Sequence, residues 1–173
     1  QRLALWLSID AHQAGERLHD RVVAGQAAHR AIGAEADTQK LDELALKALQ
    51  DQLPTIHAAG VTLVAVSPQL PDYSLSTQQK QGLAFPVLSD TGNALARELG
   101  IIFTLNADLK IMYEGFGIDL LACNGEESFE LPVPGGYLIG QDGIILERYL
   151  DPDYRNRLEP ETAVAWARKH KTL

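Results

Sequence analysis

Cysteine is nearly missing from this 173-residue chain, and Cys123 is the single one. An internal disulfide is excluded, and the low count fits a reducing, cytoplasmic setting. Basic residues are in deficit as well: 15 Lys and Arg against 23 Asp and Glu leave a net charge of −8. A nucleic-acid or anionic-membrane partner wants a basic face, and no such face is visible. Long apolar runs are absent too. Leu3–Leu7 is typical of the longest, far short of the ~18 residues of a membrane span, and no signal peptide with a clear cleavage site can be read. Phosphate-cradling glycine loops, serine nucleophile elbows and zinc-protease motifs do not occur. Gly135-Gly136 is too short a signal to mean a nucleotide, so no cofactor is implied. His12 and His19 are seven apart, whereas metal-binding pairs sit three or four apart. His29, His57 and His170 are scattered, and Asp151, Asp153 and Glu159 lack the calcium-loop spacing. No metal site is expected.

What is present is a chain of ordinary composition, 46% hydrophobic and 22% charged, long enough to bury a full core in one fold. It begins at Gln1 without a methionine, as a processed or trimmed N-terminus would. Arg2–Asp10 reads either as a buried strand or as the opening of a helix. Leu18, Val22, Val23 and Ile32 continue at loosely helical spacing, which favours helix for the segment 1–36 overall. The clearest helix begins near Thr38. Leu41, Leu44, Ala45, Ala48, Leu49, Leu53 and Ile56 form one apolar stripe, and Pro54 is expected to kink it or end its regular part. Gly60 closes it. Val61–Val66 is an all-apolar, β-branched run of the kind buried on both faces of a parallel sheet. Ser74 or Ser76 is expected to cap a short helix through Gly82. Phe85–Ser89 reads as a strand and Asn93–Leu99 as a helix ended by Gly100. Glu159-Pro160-Glu161 opens a last amphipathic helix.

The stretch Glu130–Ile145 organises the rest. A proline corner at Val133-Pro134 and the small pair Gly135-Gly136 lead into a strand, and Asp142-Gly143 is a strong hairpin signal. The glycines allow positive φ or a close approach to a ligand or another segment. Between Gly100 and Leu131 lies a long excursion, with Asp108–Tyr113 as a candidate helical turn and Asn124-Gly125 as a turn. Strands alternating with helices, followed by a hairpin, give an α/β fold with a central mixed sheet flanked by helices.

Phe85-Pro86-Val87-Leu88-Ser89-Asp90, Gly92-Asn93 and the Val-Pro before Tyr137 carry a resemblance that covers about Leu41 to the C-terminus. The chain resembles the peroxiredoxin-like proteins of the alkyl hydroperoxide reductase/thiol-specific antioxidant superfamily. The resemblance implies a thioredoxin-like domain over 37–173, with the excursion at about 101–131 covering the face near the active site. It implies a thiol-dependent reduction of hydroperoxides, with a thiol reductant and a hydroperoxide or another small molecule as partners and a homodimer as candidate assembly. It also implies that Pro134 is cis and lies beside the N-terminal turn of the helix beginning near Thr38.

The family places its redox cysteines on that helix. Aligned by Leu44–Gln50, the two positions fall on Gln39 and Asp42, neither of which does thiol chemistry. Three explanations stand side by side: the fold is kept for binding, other groups such as Asp42 do acid–base work in the same pocket, or a piece near Ala31–Thr38 carrying a strand and the cysteines is missing. Cys123 has Asp119, Glu126 and Glu127 nearby and no adjacent cation, which is the wrong setting for a lowered thiol pKa. It reads as a small semi-buried residue before it reads as a nucleophile. Arg97 reads first as a solvated or structural ion-pair residue, and second as a group reaching the pocket.

Overall fold

The structure is a computed structural model. It describes the backbone of residues 3–8 and 35–41, and the residues 42–108, 110–111, 119–151, 153 and 155–171 in full.

Helix α1, Glu35–Ala58, carries Leu46, Leu49, Leu53 and Ile56 on its buried stripe. It runs through Pro54 instead of ending there. The ring of Pro54 faces solvent, and the helix continues to Ala58 before Gly60, at φ 82°, turns the chain into β2, Val61–Ser67. β2 alternates between two cores. Val61, Leu63 and Ala65 pack with the α1 stripe, whereas Val64 and Val66 face a second cluster containing Ala96, Ile101, Val133 and Tyr137. A strand buried on both faces needs apolar residues at successive positions, which is what the run VTLVAV supplies.

On either side of β2 lie β3, Val87–Ser89, and β1, Leu3–Ser8, both parallel to it. The helical reading of Arg2–Asp10 does not hold for Leu3–Ser8, which is a strand in the middle of the sheet. Short apolar runs carry no period that separates strand from helix, and pairing partners decided here. The remainder of the reading for 1–36, as far as residue 34, lies outside the described residues. The missing-piece explanation loses half of its ground as well: the strand wanted before α1 is present, supplied by Leu3–Ser8.

β6, Gly135–Ile139, pairs antiparallel with β1, and β7, Ile145–Leu150, pairs antiparallel with β6. The hairpin between them closes through Gly140 N–H to Ile144 C=O at 2.7 Å and Gly143 N–H to Gly140 C=O at 3.0 Å. The sheet order is therefore β3-β2-β1-β6-β7, a mixed five-stranded sheet. The last helix, α5, Pro160–Lys169, lies beside α1 and buries Ala163, Val164 and Ala167 in the same core. This is a thioredoxin-like α/β arrangement.

Two short helices follow β2 and β3. α2 spans Pro71–Gln81 and α3 spans Ala94–Glu98. Neither Ser74 nor Ser76 caps α2. Its N-cap is Leu70, Pro71 occupies the first turn, and Ser74 is turned inward, with its Oγ 2.7 Å from Ser89 Oγ. The excursion leaves from β4, Ile102–Thr104, and returns on β5, Glu130–Pro132, a separate two-stranded antiparallel ribbon. Within it α4 spans Leu120–Asn124, capped by the Asp119 carboxylate and ended by Gly125 in the left-handed region.

Candidate functional site at the carboxyl edge of the sheet

The ends of the strands determine which residues meet. β1, β2, β3 and β7 all run in one direction and β6 runs against them. One edge of the sheet thus gathers Ser8, Ser67, Ser89, Leu150 and the entry to β6 at Pro134-Gly135. Open α/β sheets use this carboxyl edge for ligands. α1 delivers its first turns to the same edge. Its last residue, Ala58, precedes the start of β2, and Asp42 lies 16 residues back, about 24 Å along a helix, which matches the ~23 Å length of a seven-residue strand.

Asp42 falls on the α1 buried stripe, four residues before Leu46, and is itself buried. Its partner is Arg157, which follows β7. Arg157 Nε and Nη2 donate to Asp42 Oδ1 at 2.9 and 2.7 Å. The side chains are only 15% and 10% exposed. The acidic loop that precedes Arg157 is built by its own side chains instead of being merely solvated charge. Asp151 Oδ1 accepts from Asp153 N–H and its Oδ2 from Asn156 Nδ2, both at 2.9 Å, and Arg155 Nε donates to Asp153 Oδ1 at 2.8 Å. These bonds hold the backbone that aims Arg157 back at α1. Sequence reading missed Arg157, although a carboxylate on an otherwise apolar helix stripe is a signal that a cation must come from elsewhere.

Gln39 is in α1, three residues before Asp42. Pro134 is buried between β5 and β6. Its bond to Val133 is trans: no peptide bond is cis among the described residues, and the expected cis corner is corrected. Val133 N–H donates to Ile101 C=O at 2.8 Å, extending the β4–β5 ribbon by one bond right up to the proline. The lost ladder donor of Pro134 thus falls at the junction of two sheets. Gly135 and Gly136 do not use positive φ. Gly135 instead provides close approach, because a Cβ there would meet Leu150 Cδ2 and lie 2.9 Å from Tyr149 O.

The match with known proteins fits this geometry. The model of the AhpC/TSA family matches residues 42–148, more than half of the chain. The chain belongs to the AhpC/TSA family. Peroxiredoxin Q from Xanthomonas campestris is similar in structure, with a TM-score of 0.59 at 14% identity over 99% of this chain and 80% of that one. Peroxidoxin BcpB from Mycobacterium tuberculosis gives 0.56 at 12% identity over 98% and 80%. A mutant of peroxiredoxin 6 from Arenicola marina gives 0.55 at 14% identity over 94% and 58%. No curated protein matches the sequence. At these identities the structural likeness speaks for the fold.

The motifs that suggested the AhpC/TSA family act here as scaffold. Phe85 is core, Pro86 C=O accepts from Ala65 N–H at 3.0 Å, and Asp90 caps α3 through Leu95 and Ala96 N–H at 3.0 and 2.9 Å. Asn93, at φ 54°, donates from Nδ2 to Glu130 C=O at 2.9 Å. Arg97 is an ion-pair residue. It contacts the Glu130 carboxylate and stands 4.0 Å from Glu126. Cys123 is half-buried on α4, and its carbonyl accepts from Leu70 N–H at 2.8 Å. No three His, Cys, Asp or Glu converge as a metal-holding group among the described residues; His12, His19 and His29 lie outside them. No described helix is long and apolar enough to cross a membrane.

Proposed function

We propose that this AhpC/TSA-family protein retains the peroxiredoxin-like fold as a binding or interaction module and does not turn over hydroperoxides. The observation that carries this reading is the Asp42–Arg157 pair. Where the family's second cysteine aligns there is a carboxylate tied to a guanidinium, and a buried charge pair at that point serves cohesion, not sulfur chemistry. The first family position, Gln39, offers an amide that forms no sulfenic acid. The acid–base alternative is weaker, because Asp42 already accepts two guanidinium N–H groups on one oxygen. The ligand of this reading is a peptide or small molecule at the carboxyl edge between α1 and Pro134. A cytoplasmic setting and a homodimer belong to the same proposal, the first supported by the single cysteine.

Hydroperoxide consumption in the presence of thioredoxin or glutathione systems tests it. The expected result is no turnover above the background, unchanged in Cys123→Ser. Rapid consumption abolished by Cys123→Ser would return the protein to the thiol peroxidases, with catalysis moved to the excursion.

A further inference from the structure

The excursion meets the rest of the fold through an unusual set of contacts. Its returning limb, residues 119–129, lies against the loops that leave β2 and β3. Leu70 N–H donates to Cys123 C=O at 2.8 Å, and a Cβ on Gly125 would come 2.9 Å from Leu70 Cδ2. A Cβ on Gly92 would come 2.9 Å from Glu126 Oε1. Arg97 bridges the carboxylates of Glu126 and Glu130, and Asn93 holds the Glu130 carbonyl. The seat is thus close but predominantly polar.

Its backbone is also under load. Among the described residues, the non-glycine positions with positive φ are Asn93 at 54° and Phe129 at 51°, one on each side of the Glu130 contact. A bulky aromatic in the left-handed region is a true outlier that persists only when its surroundings hold it. Phe129 is held by packing with Leu120 on the Phe103, Leu105 and Leu131 cluster, by Lys110 Nζ 3.8 Å from its ring centre, and by its carbonyl, which accepts from Leu105 N–H at 2.9 Å. This root is apolar. Farther out, Leu121 and Ala122 are exposed. Segments that bury little apolar surface and close through exposed polar bonds open at lower free energy than the whole domain.

We infer that residues 119–129 form a strap, latched at Glu126 by Arg97, which Glu130 of β5 holds in place at the root, and that this strap opens as a unit about the β4–β5 ribbon and uncovers the ends of β2 and β3. The strap controls access to one half of the carboxyl edge, whatever chemistry or binding takes place there. The inference stands apart from the proposed function, since opening is measured without any ligand or peroxide.

Native-state hydrogen exchange tests it on the full chain. Two amides serve as reporters: Leu70, whose acceptor belongs to the strap, and Ala65, bonded to Pro86 C=O in the core. Arg97 is 45% exposed, and an exposed ion-pair network of this kind shifts an equilibrium by up to about fivefold. Arg97→Ala should therefore speed Leu70 exchange about three- to fivefold and leave Ala65 unchanged, with Arg97→Lys between. Thiol labelling of Cys123 should speed up by the same factor. In the wild type, raising the salt should reproduce the effect, which keeps the test available should the variant fold poorly. Parallel acceleration of Leu70 and Ala65, no change at Leu70, or a Cys123 labelling rate that does not follow Leu70 would each overturn the strap.

Discussion

Arg157 gives two N–H groups to one oxygen of Asp42, Nε at 2.9 Å and Nη2 at 2.7 Å, across 115 positions of sequence. The bond fastens the loop after β7 to the first turns of α1 at the carboxyl edge of the sheet. Both groups are mostly out of water, so removing Arg157 takes two guanidinium donors from a buried carboxylate. Arg157→Met should cost about 2–3 kcal/mol, between the values for exposed and fully buried pairs. The double variant Asp42→Leu with Arg157→Met should lose less than the sum of the singles, because an apolar pair leaves no orphaned charge. Denaturant midpoints decide. A single-variant cost under about 0.5 kcal/mol would mean that the pair behaves as an ordinary surface contact.

Much of this architecture was legible from local pattern. α1 and β2 adjoin in sequence, and each has its own clear period, so Leu49, Leu53 and Ile56 and the run Val61–Val66 pointed to one another without knowledge of the rest. Leu44, expected on the same stripe, is instead exposed on the opposite face of α1, and Leu46 takes the buried side. The hairpin at Asp142-Gly143 is equally local. β1 was legible only as one of two alternatives, strand or helix, because what decides between them lies in its neighbours: Leu3 pairs with Val61 and Ser8 with Gly135, both remote in sequence. Arg157 was invisible for the same reason. A polar loop residue looks solvated until the fold places a buried carboxylate beside it. The bond at Pro134 is trans where the resemblance implied cis, and no local sequence pattern decides between the two isomers.

The packing of α1 on β2 gives a paired prediction. Leu63 is fully buried between the α1 stripe and the sheet, whereas Leu44 on the opposite face of α1 is 56% exposed. Leu63→Ala should cost about 2–5 kcal/mol through lost burial and a cavity, and Leu44→Ala should stay within about 0.5 kcal/mol. Val64→Asp, which puts a carboxylate against the second cluster, should prevent folding. Equal midpoints for the Leu63 and Leu44 variants would refute the placement of the helix.

At Gly135 the sheet leaves no room for a side chain. A Cβ would strike Leu150 Cδ2 and lie 2.9 Å from the Tyr149 carbonyl. Backbone cannot retreat as a side-chain tip can, so Gly135→Ala should destabilise by about 1–3 kcal/mol, as overpacking does. Gly143, at φ 83° with open space around its Cβ direction, provides the contrast. There Ala meets no neighbour and carries only the conformational penalty of positive φ, about 1 kcal/mol. Thermal melts of the two variants should rank Gly135→Ala lower.

Glu147 provides an acid-side test. Its Oε1 lies 2.6 Å from Lys169 Nζ and 2.8 Å from His170 Nε2, joining β7 to the end of α5. The bond from Lys169, then that from His170, hold its carboxyl below the usual glutamate value. A lowered folded-state pKa means that the contribution is present above the ordinary value of 4.5 and is lost as pH falls through the folded value. Glu147→Gln should therefore flatten the stability curve below about pH 4.5. Since the Lys169 side chain is 67% exposed, high salt should narrow the gap between variant and wild type. Identical acid limbs for the two proteins at low salt would remove Glu147 from the account.

On the alkaline side the deciding residue is Tyr137, which is buried in β6 and packs with Val66, Ala96, Ile101 and Val133. Burial pushes its phenol up to about 12 against an ordinary 10, and the nearby positive charge of Arg148, its register partner on β7, offsets part of that rise. The sign follows from which state gives up the proton more readily. In the unfolded chain the phenol ionises near 10 and in the folded chain near 12, so alkali favours unfolding over that interval and the stability present below 10 is drained as pH climbs. Tyr149 is raised too, by burial first and then by Asp151 and Glu159, so it adds a smaller slope of the same sign. Tyr137→Phe keeps the ring and removes the titrating group. Its unfolding midpoint should fall less steeply between about pH 10 and about pH 12, with the residual slope coming from Tyr149. Wild type and variant losing stability in parallel over that range would show that the buried phenol of β6 does not govern alkaline unfolding.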